Sequence, residues 1–500
     1  MMGDLIEGSK FESLFVKSIQ AKGYQPIIVN ARGSFANFIY RVIGVSRCLF
    51  YEDFIDKARQ QNQTETIACE LFENCVDLQS LLAIHYRGVN VGKYACSTVL
   101  RQTHSGEVDF SSRDFLKIVK QYVQAAIENV LAAELIYELV NPAKTLFLER
   151  GYSPYGEFFD ISVNRGIDTI QWIGCHTPKA VILKRYNRNN TGFHPSSLSN
   201  KSWDCIKDLP WNESLGNAVK NELYNTYASG EWFNEVGTQF NTRMTDRQSL
   251  YRQLELDPGK KVGIIFSHIL WDATFFYGED LFADYKDWLI ETVKAAMANT
   301  HMNWVIKIHP ANVIKKYREN YRGQWAEFEA VESALGKLPE HIKWLLPDTS
   351  ISTYSLFEFM DYCITVRGTI GLEAALFGVP VLTAGTGRYD NHGFTIDSTS
   401  RESYLGKIAN LHEIPPLTEK QKQLAQKFAH GIFCLRPFPL RSITVNYAKD
   451  STATMKVTYN VRNMGEWAAS TDFNYFGDWV VNSQDEDFLS PDLLKAVCQN

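Results

Sequence analysis

The sequence predicts an α/β protein of two doubly wound domains, and three observations carry that expectation. Short apolar runs of strand type recur, most clearly over 260–266, 303–308, 362–366 and 380–383. Segments with apolar residues at helical spacing lie between them, as over 283–298 and 371–377. Gly, Pro or polar residues punctuate the junctions, as at Asp257-Pro258-Gly259 and His309-Pro310. Strands that alternate with helices in this way pair in parallel through right-handed crossovers.

The first half carries the same alternation less regularly. Phe11, Leu14, Phe15 and Ile19 predict a helix over 11–22, ended by Gly23, with a buried-type strand over 24–30 behind it. A long helix is expected over 114–140, where Phe115, Ile118, Val119, Tyr122 and Val123 begin a sustained apolar face and Asn141-Pro142 stops it. A strand over 144–151, a helix over 156–164 and a strand over 169–172 follow. Between 186 and 245, Asn, Ser, Gly and Trp are scattered without a period, which reads as an irregular excursion plus an interdomain linker.

With 500 residues, 45% hydrophobic and 22% charged, there is chain enough for two or three domains with cores of their own. The 51 basic against 57 acidic residues, net charge -6, leave no basic excess for nucleic acid, so the expected partner is a small molecule. Nine cysteines without a C-x-x-C pair indicate neither a disulfide framework nor a zinc site and fit a reducing compartment. Met1-Met2-Gly3-Asp4 lacks the basic and then apolar character of a signal peptide, and no apolar run approaches the roughly 20 residues of a spanning helix. The expectation is a cytoplasmic protein that touches a membrane surface peripherally at most.

In a doubly wound sheet, ligands sit beyond the carboxyl ends of the strands. Three such ends carry polar residues: Ser267 and His268 with Trp271 and Asp272, then Lys307, His309 and Pro310, then Arg367 and Gly368 through Glu373. In the third, a Gly-Thr turn entering a helix exposes N–H groups and the positive dipole end, which bind phosphate. Arg367 would add charge there, Thr369 a hydroxyl, and Glu373 an acceptor for ribose or a base edge. His309, its chain exit fixed by Pro310, offers an imidazole to a phosphate or a leaving nucleotide. Of Ser352 and Ser355, at least one should cap the next helix, with a phosphate contact as the other role.

Asp272 is the first carboxylate beyond a strand end of the second half, ahead of Glu279 and Asp280. It could serve as base for an acceptor hydroxyl or as nucleophile at an anomeric carbon. In the first half, Glu149 and Tyr152 stand in an aromatic, charged loop that suits a sugar acceptor. Each of these residues also has a structural reading: glycines for tight packing, Glu373 as a dipole partner, His309 as a satisfied polar group, Asp272 as a surface or capping acid. No aspartate-x-aspartate pair sits at a strand end, so neither a metal nor another cofactor is expected; helix dipoles and basic side chains would neutralise the leaving phosphate.

Four stretches then resemble a family: Ile306-Lys307-Ile308-His309-Pro310, Leu346-Pro347-Asp348 with the serines at 350, 352 and 355, the run 361–374, and Gly378-Val379-Pro380-Val381. In that order, over 260–385, they are similar to bacterial capsule-polysaccharide biosynthesis glycosyltransferases, the relatives of β-Kdo transferases and, more distantly, of sialyltransferases with an H-P motif. The resemblance implies a GT-B fold, with two Rossmann-like domains facing a central cleft. It implies an acceptor domain over 1–245, a nucleotide-sugar donor domain over 246–415, and a helix and tail over 416–500 that pack back on the first domain. It further implies a CMP-sugar donor, such as CMP-Kdo or a related ulosonic acid, and a surface or capsule glycan or glycolipid as acceptor. His309 and Pro310 would hold the cytidylate, Ser352, Thr369 and Glu373 would line phosphate or ribose, and Asp272 would supply an aspartate nucleophile. The G-T-x-G-x-E-A and G-x-P-V elements also resemble UDP-N-acetylglucosamine 2-epimerases and UDP-sugar transferases. A UDP donor therefore stays open, as does a GT-B-like subunit that binds without catalysis.

Overall fold

The computed structural model describes residues 6–230, 242–272, 275–318, 322–448 and 454–494. Part of the expected linker, 231–241, lies outside them. In the first half, helix Ile6–Ala21 precedes a parallel pair of strands, β1 (Ile27–Asn30) and β2 (Arg47–Phe50). Helices Tyr51–Gln61, Thr64–Phe72 and Val91–Thr103 then pack around the long helix Arg113–Val140, whose Val119, Val123, Ile127 and Val130 are buried at helical spacing. Beyond it, β3 (Lys144–Phe147) and β4 (Asp168–Gly174) run parallel, connected through helix Tyr155–Asn164. Strand β5 (Ala180–Tyr186) returns antiparallel to β4, because residues 175–179 are too few for the crossover that a parallel strand needs.

The stretch after β5 is not the irregular excursion expected for 186–245. It holds helices Asn200–Lys207 and Glu213–Ser229, capped by Ser199 and Asn212, whose side chains accept from the amides of Ser202 and Leu215. Their Trp203, Ile206, Val219, Leu223 and Tyr227 enter the core of the second half. Those narrow apolar faces sit in an otherwise polar sequence, which hides the period.

The second half is built on β6 (Val262–Phe266), β7 (Asn303–Lys307), β8 (Ile342–Leu345), β9 (Tyr362–Thr365) and β10 (Val381–Thr383), all parallel, in the order β10-β9-β6-β7-β8. Read from β8, with strands renumbered from β6, the order is 3-2-1-4-5, the Rossmann pattern, whose winding reverses between β6 and β9. Alternate residues feed two cores. Val262, Ile264 and Phe266 join helices Thr369–Leu376 and Glu419–His430 on one face, while Ile265, Trp304 and Ile306 join helix Tyr285–Ala298 on the other. The short helix expected near Ser355 forms slightly earlier, as a 3-10 turn at Thr353–Leu356.

The chain then returns to the first half. Helix Glu419–His430 runs into a π turn, Gly431–Leu435, and β11 (Phe438–Pro439) pairs with β5 to complete a sheet in the order β11-β5-β4-β3. A hairpin of β12 (Ile443–Tyr447) and β13 (Met455–Tyr459) follows. Helix Thr471–Asn482 lies on Ile6–Ala21, with the rings of Phe15 and Phe476 4.4 Å apart. Two α/β halves meet along a seam, and the final segment crosses back from the second to the first. Among the described residues no helix is long and apolar enough to cross a membrane.

Candidate active site at the seam between the halves

Because the winding reverses between β6 and β9, the crevice opens beyond their carboxyl ends. His268 follows β6, and its Nε2 lies 3.3 Å from Oγ1 of Thr365, the last residue of β9. The ring stacks on Tyr285 at 4.4 Å and meets Trp288 edge-on. Burial first, then the neighbouring His309, Arg367 and Arg388, depress its pKa to about 3. His309 follows β7, and its pKa is lowered to about 4 by burial and then by Lys315 and Lys307. The Ala311 amide donates to His309 Nδ1 at 3.2 Å. A neutral ring that accepts at Nδ1 carries its proton on Nε2, so His309 offers one N–H donor. Ser267 Oγ accepts from the His309 amide at 3.2 Å and ties the two strand ends together.

At the third strand end, Gly368 precedes helix Thr369–Leu376 without a side-chain cap. Arg388, from the loop after β10, donates through Nη2 to Thr369 Oγ1 at 2.6 Å and through Nη1 to the Arg367 carbonyl at 3.3 Å. The cation at this helix start thus comes from a fourth strand end. Arg367 turns away: it is buried, donates to the carbonyls of Tyr277 and Glu279, and pairs with Asp280. It fixes the 277–280 loop rather than offering charge to a phosphate.

Four other expected donor contacts are corrected in the same way. Glu373 is 2% exposed and accepts at 2.5 Å from the hydroxyl of Tyr227, whose helix covers it, so a ribose cannot reach it. Lys307 is also 2% exposed and donates to the carbonyls of Ile308 and Leu346, at 3.2 and 3.5 Å, beneath the crevice. Burial lowers its pKa to about 8. Ser352 is buried and caps the Thr353–Leu356 turn through the Tyr354 amide, while Ser355 accepts from the Thr245 amide at 2.9 Å. Both serines serve the local chain. Pro310 remains at the crevice behind His309, partly exposed.

Asp272 links the two halves. Its Oδ1 accepts from Arg101, on helix Val91–Thr103, and at 2.5 Å from the Tyr152 hydroxyl, while Oδ2 pairs with Lys315, on helix Ala311–Arg318. Burial opposes ionisation, but Lys315, Arg101 and the hydrogen bonds of Lys315 and Tyr152 outweigh it and hold the carboxyl well below the usual carboxylate range. About a quarter of the side chain, 24%, stays accessible, so the group is within reach of a ligand. A carboxylate held this firmly ionised is a poor general base, whose pKa should lie near the working pH. It suits a nucleophile or an electrostatic partner for positive charge at an anomeric carbon. Of the expected acceptor pair, Tyr152 is in this cluster. Glu149 is not: its Oε1 folds back on the amides of Arg150 and Gly151 at 2.6 and 2.7 Å.

Three loops interlock at the same seam. The His194 amide donates to the Gly387 carbonyl at 2.8 Å, and the Gly278 amide to the Gly192 carbonyl at 2.6 Å. Gly387 has φ +91°, and a Cβ there would lie 2.7 Å from the Gly192 carbonyl oxygen, so this close approach requires glycine. Arg388, Lys315 and Arg101 are the site residues that sequence reasoning missed. For Arg388 a signal existed, since Gly385-Thr386-Gly387-Arg388 is another Gly-rich strand end. Arg101 sits on a helix of the other half, where only the fold brings it to Asp272.

No protein-family model matches the chain, and neither does any curated protein. Among solved structures it is similar to KpsC of Thermosulfurimonas dismutans, a β-Kdo 2,4 transferase, with TM-score 0.34 and 12% identity over 57% of this chain and 78% of that one. It is also similar to a UDP-GlcNAc 2-epimerase from Neisseria meningitidis, with TM-score 0.28 and 9% identity over 87% and 95% of the two chains. The spinosyn rhamnosyltransferase SpnG matches with TM-score 0.29 and 12% identity over 84% and 91%. At these scores no residue, ligand or reaction is carried over, and the fold description rests on the strand order of this chain.

Proposed function

We propose that this chain is a GT-B glycosyltransferase that moves a sugar from a nucleotide-activated donor to a glycan or glycolipid acceptor. The observation that carries the reading is Asp272, a carboxylate kept ionised beyond a strand end of the doubly wound sheet, where both halves meet. Donor phosphate would lie against the helix start at Thr369 with Arg388 beside it, and the Nε2–H of His309 would donate to it or to the leaving nucleotide. The acceptor would enter from the first half, past Tyr152.

Both oxygens of Asp272 are engaged here, so it attacks an anomeric carbon only after Arg101, Tyr152 or Lys315 gives way. Arg388, Lys315 and the helix dipole would neutralise the leaving phosphate without a metal clamp. Among the described residues no group of three or more His, Cys, Asp or Glu is placed to hold a metal ion. The His309-Pro310 pair favours a CMP-sugar, such as CMP-Kdo or a related ulosonic acid, and a capsule or surface glycan as product. A UDP-sugar is the second donor class, favoured by the element Gly368-Thr369-Ile370-Gly371-Leu372-Glu373-Ala374.

A thermal-shift screen of CMP- and UDP-sugars with EDTA present tests this reading. Stabilisation by one donor class supports it, and stabilisation by none removes it. Binding that appears only when a divalent metal is restored overturns the metal-free part.

A further inference from the structure

The first half holds a cavity of about 480 Å³, within the size range of small-molecule sites and separate from the Asp272 cluster. Its wall is polar and carries Lys93, Arg150 and Arg188 against a single carboxylate, Asp160, with Asn90 and the ring of Phe276 beside them. We propose that this cavity is a binding site for a saccharide bearing an anionic group, carboxylate or phosphate, and that in the transferase reading it is a subsite for the acceptor.

Arg150, 1% exposed, is one of the residues that line the cavity. Its guanidinium is fixed by the carbonyls of Thr191 and Phe276 and stacked against Phe159, Tyr186 and Tyr277, at 4.7, 5.1 and 4.8 Å. A cation held this rigidly is preorganised for an anion.

Lys93 stands in the first turn of helix Val91–Thr103, where a positive charge works against the helix dipole. Burial lowers its pKa, and Asp160 and Asp280 only partly offset that. Both the lysine and the helix start gain from an anion between them and Arg150. Phe276, 6.0 Å from the Lys93 ammonium, offers a ring face to the C–H groups of a sugar.

The cavity connects to the seam through one loop. Phe276 and Gly278 line it, while the carbonyls of Tyr277 and Glu279 and the carboxylate of Asp280 hold Arg367 beside the start of helix Thr369–Leu376. The site therefore lies on the first half's side of the loop that borders the donor crevice.

Only the word acceptor rests on the transferase reading, and the test needs no donor, so the two can fail separately. Binding of D-glucuronate, D-glucose and inorganic phosphate to the full chain is measured by ligand-observed NMR. The expected result is glucuronate binding at least tenfold tighter than glucose, with phosphate competing for it. Lys93→Gln and Arg188→Gln should each cut that preference severalfold without moving the melting temperature. Equal affinity for glucose and glucuronate, phosphate that does not compete, or a preference that survives the double variant would each overturn the assignment.

Discussion

Arg388 donates a 2.6 Å hydrogen bond to the Thr369 hydroxyl, so the charge at the start of helix Thr369–Leu376 comes from the loop after β10 rather than from Arg367 on the helix's own turn. Arg388→Ala should weaken nucleotide binding about 10- to 100-fold, the worth of a charge-assisted hydrogen bond of about 1.5–3 kcal/mol. Arg367→Ala should act on the fold instead. Removing one member of its pair with Asp280 should cost about 3 kcal/mol, the low end for buried pairs because Asp280 keeps some solvent contact. Calorimetric titration and melting of both variants check this division, and the reverse pattern would exchange the two roles.

The Tyr227 hydroxyl bonds Glu373 in the core at 2.5 Å. Tyr227→Phe should lower stability by about 1–3 kcal/mol, the cost of leaving a buried polar group short of a donor. Nucleotide affinity should stay unchanged. A loss of affinity without a loss of stability would return Glu373 to the donor site.

Where the sequence was legible, the reason was burial. The strands of the second half lie under helices on both faces, so they read as continuous apolar runs, and their alternation with helices announced the parallel sheet. Orientation was harder to read. Thr369 and Glu373 share a helix face by spacing, yet the first turn meets Arg388 while the next is covered by the helix of Tyr227. Which turn a neighbouring helix covers is a tertiary fact. The same holds for Ser352, where a capping serine and a phosphate-binding serine look alike until the turn it caps is seen. The helices Asn200–Lys207 and Glu213–Ser229 did leave a local signal in their caps, Ser199 and Asn212, but too few apolar residues to reveal a period.

His309 and His268 are held neutral, with pKa values of about 4 and about 3 against an ordinary 6.5, burial being the main cause in both. Between those values and 6.5 the unfolded chain binds the proton better than the folded one. The stability these rings contribute is therefore fully present above about pH 6.5. It is lost as the pH falls towards 4 for His309 and towards 3 for His268. His309→Gln should flatten the melting temperature against pH between 6.5 and 4 and leave it unchanged above 7. A variant with the wild-type slope would show that His309 titrates as an ordinary histidine.

Asp272 stands at the centre of the account, an ionised carboxylate between Arg101 and Tyr152 of one half and Lys315 of the other. Nucleotide release from CMP- and UDP-sugars by the wild type and by Asp272→Asn, with nucleotide affinity measured in parallel, tests its role most directly. The wild type should release nucleotide from one donor class. Asp272→Asn should lower that rate by roughly 10²-fold or more while nucleotide affinity stays within a few-fold, because the substitution keeps the shape of the side chain and removes its charge. Near-normal release by Asp272→Asn, or no release from any donor by the wild type, would contradict the account.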